Sequence, residues 1–504
     1  MAKRSELWSA SRDTVFDVAV IGGGIVGAML YHVLAEAGRK VLLVDKGDFG
    51  GGTSQSSGMM IWGGPLYLLT LEVNPVRVFS AARDEWLRTR PDLIEPIEVR
   101  WIVQNHRWAA VRARFGLAVL WLYWFLGSGT RAKPAVQREF RETSLIREGA
   151  GTRALCFQEA RLRHSDAQFV LHWILSHQAR DQVSLNYCAL REAEYSARDR
   201  LWHLGVGDLL TGDAAELLAG WVVNCGGCWT DEINRIAHVE TPVRHAFSKG
   251  VYIGITRPPG HDSWLSFDTG ENHDVLTLQP WGPISLFGPT ETWTQSLDEG
   301  FRVNAGDIDF LLRHASRHLE VPIGRANIVS FRCGVRPLPV PRSSSSVEHR
   351  YPLRVSRHHR IVVDRARAWI SVFGGKLTSA PIIAREVFRH LPPAKTVSSA
   401  PKQSERPPVA PRLEQFPGLA EPVPAIEWCA ENAFCHRLED YCRRRTNIAQ
   451  WVPREGLGSD NANLHHLSSL SCRLHGGNRD LAEADLAAYV ASAQQRFDRL
   501  LEQI

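Results

Sequence analysis

The chain has 504 residues, enough for two or three domains, and its 44% hydrophobic and 22% charged content excludes a disordered polymer. A formal net charge of +5 is mild and its Lys and Arg are scattered, so nucleic acid is not an expected partner. Nine irregularly spaced cysteines fit a reducing compartment better than a disulfide scaffold. Cys225-x-x-Cys228 has no second pair or nearby histidine, so no metal is expected.

Residues 1–15 read as a disordered lead, and MAKRSELWSASRDT lacks the apolar core of a signal peptide, so a cytoplasmic location is expected. FDVAVIG (16–22), the helical 25–37 and KVLLVD (40–45) then predict a βαβ unit. MMIWGGPLYLL (59–69) holds two adjacent glycines and no charge, at a place where a substrate pocket is expected. A basic, Trp-rich segment continues to about 150. Within it, GLAVLWLYWFL (116–126) is short of the roughly 20 residues that span a bilayer. Its basic flanks and internal aromatics suit an interfacial helix, while burial in the protein is the slightly preferred reading.

Residues 165–180 predict a helix with Ser165 or Asp166 as its cap, and GWVVNCGG (220–227) a buried strand ending in a turn. Short alternating stretches over 243–290 predict antiparallel strands. A helix follows at 307–319, and the serines 343–346 form a surface loop. AWISVFGGKLTSA (368–380) reads as strand, glycine turn and helix start, with Pro381 bending the helix. Residues 391–425, with nine prolines, have linker composition, and 426–504 a helical pattern. The pairs His358–His359 and His465–His466 read as surface or packing residues.

The chemistry begins at Gly22-x-Gly24-x-x-Gly27, which follows a strand, opens a helix and has Asp45 ending the next strand. Gly22 makes the tight turn, Gly24 lets the backbone approach a pyrophosphate, and Gly27 lets helix and strand pack closely. The helix N-terminus faces the pyrophosphate, while Asp45 accepts from ribose hydroxyls and disfavours a 2′-phosphate. NAD and FAD both use such a turn. FGGKLT (373–378) points to FAD, because two glycines and a helix N-terminus can approach a flavin whose reduced form carries negative charge.

Several strings, in order, resemble FAD-dependent glycerol-3-phosphate dehydrogenases of the amino-acid oxidase-like group: DVAVIGGGIVGA at 17, GGTSQSS at 51, VVNCGGCWTDEI at 222, SKGVY at 248, CGVRPL at 333, SRHHRI at 356, SVFGGKLTS at 371 and RLEDYCRRRT at 437. The resemblance implies an α/β fold. A Rossmann-like FAD-binding domain would be interleaved with an α+β substrate domain on an antiparallel sheet over 16–390, then the linker 391–425 and a small all-α domain over 426–504. It implies hydride transfer to flavin, with a quinone or other electron acceptor at a membrane. By matching motifs, Thr53 and Ser54 fall near flavin and pyrophosphate, Gly226 lines the FAD, and Gly374 and Gly375 lie beneath the flavin. Arg336, Lys376 and Thr378 are the implied substrate anchors.

The family usually reads close to S-K-L-I-H-G-G-L-R-Y-L where this chain has Met59, Trp62 and Leu66 for lysine, histidine and arginine; Gly63, Gly64 and Tyr67 persist. Tyr252 replaces another histidine. Charge-assisted hydrogen bonds are worth roughly 1.5–3 kcal/mol, so losing two cations would weaken a phosphate ester by ~3 kcal/mol. The expected substrate is therefore larger and less charged, with Tyr252 orienting or deprotonating it if Lys249 or Lys376 lowers its pKa. Lys376, set against a helix dipole, is expected to have an anionic partner. The alternatives are an authentic glycerol-3-phosphate dehydrogenase and a non-catalytic FAD-binding scaffold. Met59 and Trp62 could also be plain core residues.

Overall fold

A computed structural model describes residues 4–103, 109–127, 131–138, 140–147, 153–177, 181–270, 275–344, 351–352, 355–393, 410–498 and 500, except the side chains of 69 and 70. Residues 4–12, part of the expected disordered lead, instead form helix α1 (Arg4–Arg12). Leu7 and Trp8 are buried, and Arg4 ion-pairs with Asp208. That apolar pair is what pins the segment to the core.

The βαβ expectation holds: β1 (Val15–Ile21), α2 (Ile25–Glu36) and β2 (Val41–Val44) run in order. β1 pairs in parallel with β2 on one side and Ala214–Asn224 on the other, and Trp369–Phe373 and Gln182–Leu185 extend the parallel sheet. All four residues of β2 are buried, as a sheet covered on both faces requires. Antiparallel strands Arg360–Asp364 and Leu201–Asp208 complete it, with Cys188–Ser196 beside the latter.

The chain leaves this sheet twice to build a second, ten-stranded and mainly antiparallel one. Its longest pairing joins Val243–Thr256 to Ile328–Pro341. The helix expected at 165–180 is Asp166–Leu175, and Ser165 caps it by accepting from Gln168 N–H. Asp166 does not cap it. Its carboxylate accepts from Ser57 and Arg332, tying the segment after the glycine turn to the second sheet. The helix Ala305–His318 matches its expected place.

The linker reading is corrected where it can be described. Residues 394–409 lie outside the described residues, as do Ser345 and Ser346 of the serine run. Leu413–Glu414, however, pairs with Val423–Pro424, and Phe416 is buried in the core of the C-terminal helices. Proline is compatible with such a short edge ribbon, so composition alone overstated the linker.

The apolar segment at 116–126 belongs to a longer helix, Ala109–Leu126, of which Ala109, Ala113, Leu120 and Tyr123 are buried. Phe115 is 64% and Phe125 76% exposed, with Val111, Trp121 and Leu122 exposed beside them. The preferred reading, burial, is thus corrected: one stripe, with the half-buried Leu117, Val119 and Leu126 beside it, packs on the sheet, and the opposite face is exposed. By length and composition this helix could cross a membrane.

Candidate active site

A single cavity of about 910 Å³ runs from Asp45 past the glycine turn to Lys376 and Arg336. At its first end the glycines act through atoms they lack. Gly22 has φ +106°, and a Cβ there would lie 2.5 Å from Cys225 O; at Gly27 it would lie 1.9 Å from Gly22 O. At Gly24, the N-cap of α2, it would meet Ser54 Oγ at 3.2 Å. Ser54 Oγ also accepts from Ile25 N–H at 3.0 Å, which places the Ser54 hydroxyl on the helix N-terminus. Thr53 donates to Val335 O at 2.6 Å, binding this segment to the second sheet.

Asp45 lines the cavity at the end of β2, but both its oxygens are engaged by the turn. Oδ2 accepts from Gly23 N–H at 2.7 Å and Oδ1 from Gly47 N–H at 2.8 Å. Burial raises its pKa to about 6 despite those two bonds. Gly226 lines the opposite wall, where a Cβ would lie 2.3 Å from Ile233 Cδ1. Cys225 and Cys228 are buried free thiols whose pKa burial pushes up to about 12, so the C-x-x-C is structural packing.

The other end stands on the two longest strands. Their register sets Ser248 opposite Arg336, Gly250 opposite Gly334, and Tyr252 opposite Arg332. Alternate residues share a face, so this one ladder presents Gly250, Tyr252, Gly334 and Arg336 to the cavity. Gly250 makes room for the arginine, since a Cβ there would lie 2.3 Å from Arg336 Nη2. Arg336 Nη1 is 3.1 Å and Arg357 Nη2 3.0 Å from Glu291 Oε2. Burial alone would raise the Glu291 pKa, but the two guanidiniums outweigh it and hold it below the usual range.

The late glycine bend closes this end. Gly374 (φ +71°) and Gly375 (φ +113°) adopt conformations that favour glycine, and Gly374 N–H donates to His245 Nε2 at 3.1 Å. Lys376, expected to meet an anionic group of flavin or substrate, lies against aromatic side chains of the chain itself. Its Nζ donates to Tyr67 OH at 2.5 Å and sits 4.9 Å from the centre of the Phe79 ring. The helix begins only at Ala380, so Lys376 lies before it rather than against its dipole. Burial lowers the Lys376 pKa, and Tyr67 partly opposes that. Pro381 falls in the helix's first turn, where proline is tolerated, and does not bend an interior.

Thr378 Oγ1 accepts from Trp62 N–H at 3.0 Å, so it holds the uncharged stretch in place. That stretch divides. Met59 is buried in the main core, whereas Met60 and Trp62 line the cavity. Behind them Gly63 N–H donates to the buried Glu159, which pairs with Arg83 at 3.0 Å. A Cβ at Gly63 would lie 2.0 Å from Tyr123 OH, which explains a glycine there.

Tyr252 is buried and its pKa is raised by that burial, with Arg336 and Gln279 opposing. Lys249 cannot lower it. It points to the other face of the strand and pairs with Asp307 at 2.6 Å. Burial thus favours the protonated phenol, which can donate a hydrogen bond into the cavity. Sequence reasoning missed Arg357, Glu291, Tyr67 and His245 as site residues. Arg357 lay within the SRHHRI string and Tyr67 among the persisting residues, but nothing local singles out Glu291.

The fold and the two glycine-lined ends define a flavin-type dinucleotide-binding protein. Residues 17–389 match the FAD dependent oxidoreductase family, and the chain belongs to it; its cofactor is FAD. Gly22, Gly24, Gly226 and Asp45 fit that group, leaving bare backbone and a half-buried carboxylate along the cavity. The chain is similar to "Glycerol-3-phosphate dehydrogenase 2" of Mycobacterium tuberculosis, 30% identical over 77% of this chain and 65% of that protein. It thus spans about two-thirds of the length of that relative. A glycerol-3-phosphate dehydrogenase of Synechocystis is 25% identical over 87% of this chain and 90% of its own. Among solved structures, the FAD complex of Bacillus halodurans glycerol-3-phosphate dehydrogenase superposes with TM-score 0.68 at 18% identity, covering 99% of this chain and 97% of that one. It shares the fold.

Proposed function

We propose that the protein oxidises a C–H beside a hydroxyl or amine in a substrate with one anionic group and a larger apolar part than glycerol 3-phosphate has. The observation that carries this reading is the mixed lining of one cavity end. Arg336 and Arg357 are partly neutralised by the Glu291 they share, and Met60 and Trp62 form uncharged wall beside them. Bound FAD supplies the hydride acceptor. Arg336 and Arg357 bind the anionic group, and the Tyr252 hydroxyl donates a hydrogen bond that orients the substrate. Lys376, its ammonium disfavoured by burial, takes the proton at Nζ with Tyr67 beside it. Thr378 positions the Trp62 wall.

A second reading, oxidation of glycerol 3-phosphate itself, is supported by the relatives' names and by the Arg336 and Arg357 guanidiniums at the same end of the cavity. The electron acceptor in either case is a quinone or another carrier. The protein works from the cytoplasm at the inner face of a membrane, with Ala109–Leu126 lying in the interface; its exposed Phe115, Trp121 and Phe125 support this. Anaerobic mixing with a panel of hydroxy acids, amines and glycerol 3-phosphate tests both readings. Flavin bleaching by an apolar hydroxy or amino acid at lower concentration than by glycerol 3-phosphate is the expected result. The reverse order establishes the second reading, and bleaching by none refutes both.

A further inference from the structure

The family match ends at 389, yet the cavity does not end with the residues it covers. Arg437, Glu439 and Arg444, all from the C-terminal unit, line it together with Gln55, Asp48 and Tyr187. These residues meet at the end of the cavity nearest Asp45, because Asp48 follows β2 by four residues and Tyr187 N–H donates to Gly47 O at 2.8 Å.

The junction is built from buried, mutually satisfied charges. Asp48 receives Arg444 Nε and both terminal nitrogens of Arg445, Nη2 at 2.8 Å, and also Asn186 Nδ2 at 2.9 Å. Arg444 Nη2 donates to Asp440 at 2.7 Å, and Tyr187 OH donates to the same carboxylate oxygen at 2.6 Å. Asn186 Nδ2 also donates to Phe434 O at 3.0 Å. A network this buried is costly to leave half-made, so the two units dock in one arrangement.

That docking delivers two cations to the cavity. Arg444 Nη1 donates to Gln55 Oε1 at 3.1 Å, next to Thr53 and Ser54. The exposed Arg437 guanidinium lies 4.5 Å from the centre of the Tyr187 ring. Unlike Arg444, it is not locked into the Asp48 network, so it is available to an anionic or aromatic ligand group.

We infer that the C-terminal unit is part of the cofactor site: Arg437, Glu439 and Arg444 wall its nucleotide end, and FAD retention is coupled to their docking. This rests on the reading of the cavity as the FAD site. In wild-type apoprotein titrated with FAD and followed by flavin fluorescence, saturable binding is required first. Without it the cofactor reading itself falls. Given wild-type binding, Arg437→Ala raises the FAD Kd about tenfold. Arg473→Ala, in the same unit but paired with Glu414 and Glu427, leaves it unchanged. Hydrogen exchange reads the coupling without any variant: FAD slows amide exchange across 434–446. A Kd within twofold of wild type for Arg437→Ala, an equal loss in Arg473→Ala, or unaltered exchange at 434–446 on FAD addition each overturns the inference.

Discussion

The two ends of the cavity are held open in opposite ways. The nucleotide end is shaped by missing atoms: a Cβ at Gly22 or Gly27 would run into backbone at 2.5 or 1.9 Å. The substrate end is shaped by side chains that balance one another, with Glu291 between Arg336 and Arg357, and Lys376 on a phenol and an aromatic face. The first kind of site tolerates almost no substitution, because backbone cannot move aside. The second is tunable, because one side chain can change while the ladder beneath it stays.

The sharpest break of that contrast is Gly27→Val. The added atoms meet Gly22 O, so FAD binding falls by more than ~100-fold or the protein fails to accumulate in soluble form, read by bound flavin per chain. Arg336→Ala comes next. It removes a charge-assisted contact to the substrate worth about 2 kcal/mol, so kcat/KM falls about 30-fold for an anionic substrate while flavin content is unchanged. An equal loss with an uncharged substrate contradicts the role given to Arg336.

Trp62→His should move specificity rather than abolish it. Trp62 lines the cavity, so an imidazole there raises kcat/KM for glycerol 3-phosphate about tenfold. A lysine at the buried Met59 would only destabilise the core. The smallest effect expected is with pH. Asp45 has a folded pKa raised to about 6, so its proton is on below that value and off above it. For folding, this favours the native state at low pH, and the contribution is lost as pH rises through about 6. For FAD the sign is opposite, because the ionised carboxylate is the better acceptor for ribose hydroxyls. FAD Kd is therefore expected to rise a few-fold between pH 7 and 5, in a titration that Asp45→Asn flattens.

Legibility in the sequence followed the same divide. The glycine turn, Asp45 and the late FGGK bend were readable because backbone conformation and close approach admit few residue types, so the spacing itself carries the information. Lys249 as a neighbour that lowers the Tyr252 pKa was misread because strand alternation, not nearness in sequence, decides what a side chain meets, and it turns Lys249 toward Asp307. The helix start after FGGK was placed too early, because the turn runs on through Ser379 before the helix begins at Ala380. The linker and the lead were overcalled from composition, which records proline and polarity but not a buried Phe416 or Trp8.

From its sequence alone the chain declared a parallel βαβ core, a dinucleotide turn and a flavin-type bend, because these depend on local geometry that glycine, β-branched and apolar residues enforce within a few positions. Tertiary structure decided that Glu291 joins two arginines, that one helix keeps an apolar face with Phe115, Trp121 and Phe125 exposed, and that C-terminal arginines reach the cavity. Those facts arise from pairings across sheets and between units. Their free energy depends on distance and burial in the folded chain, and no run of neighbouring residues encodes either.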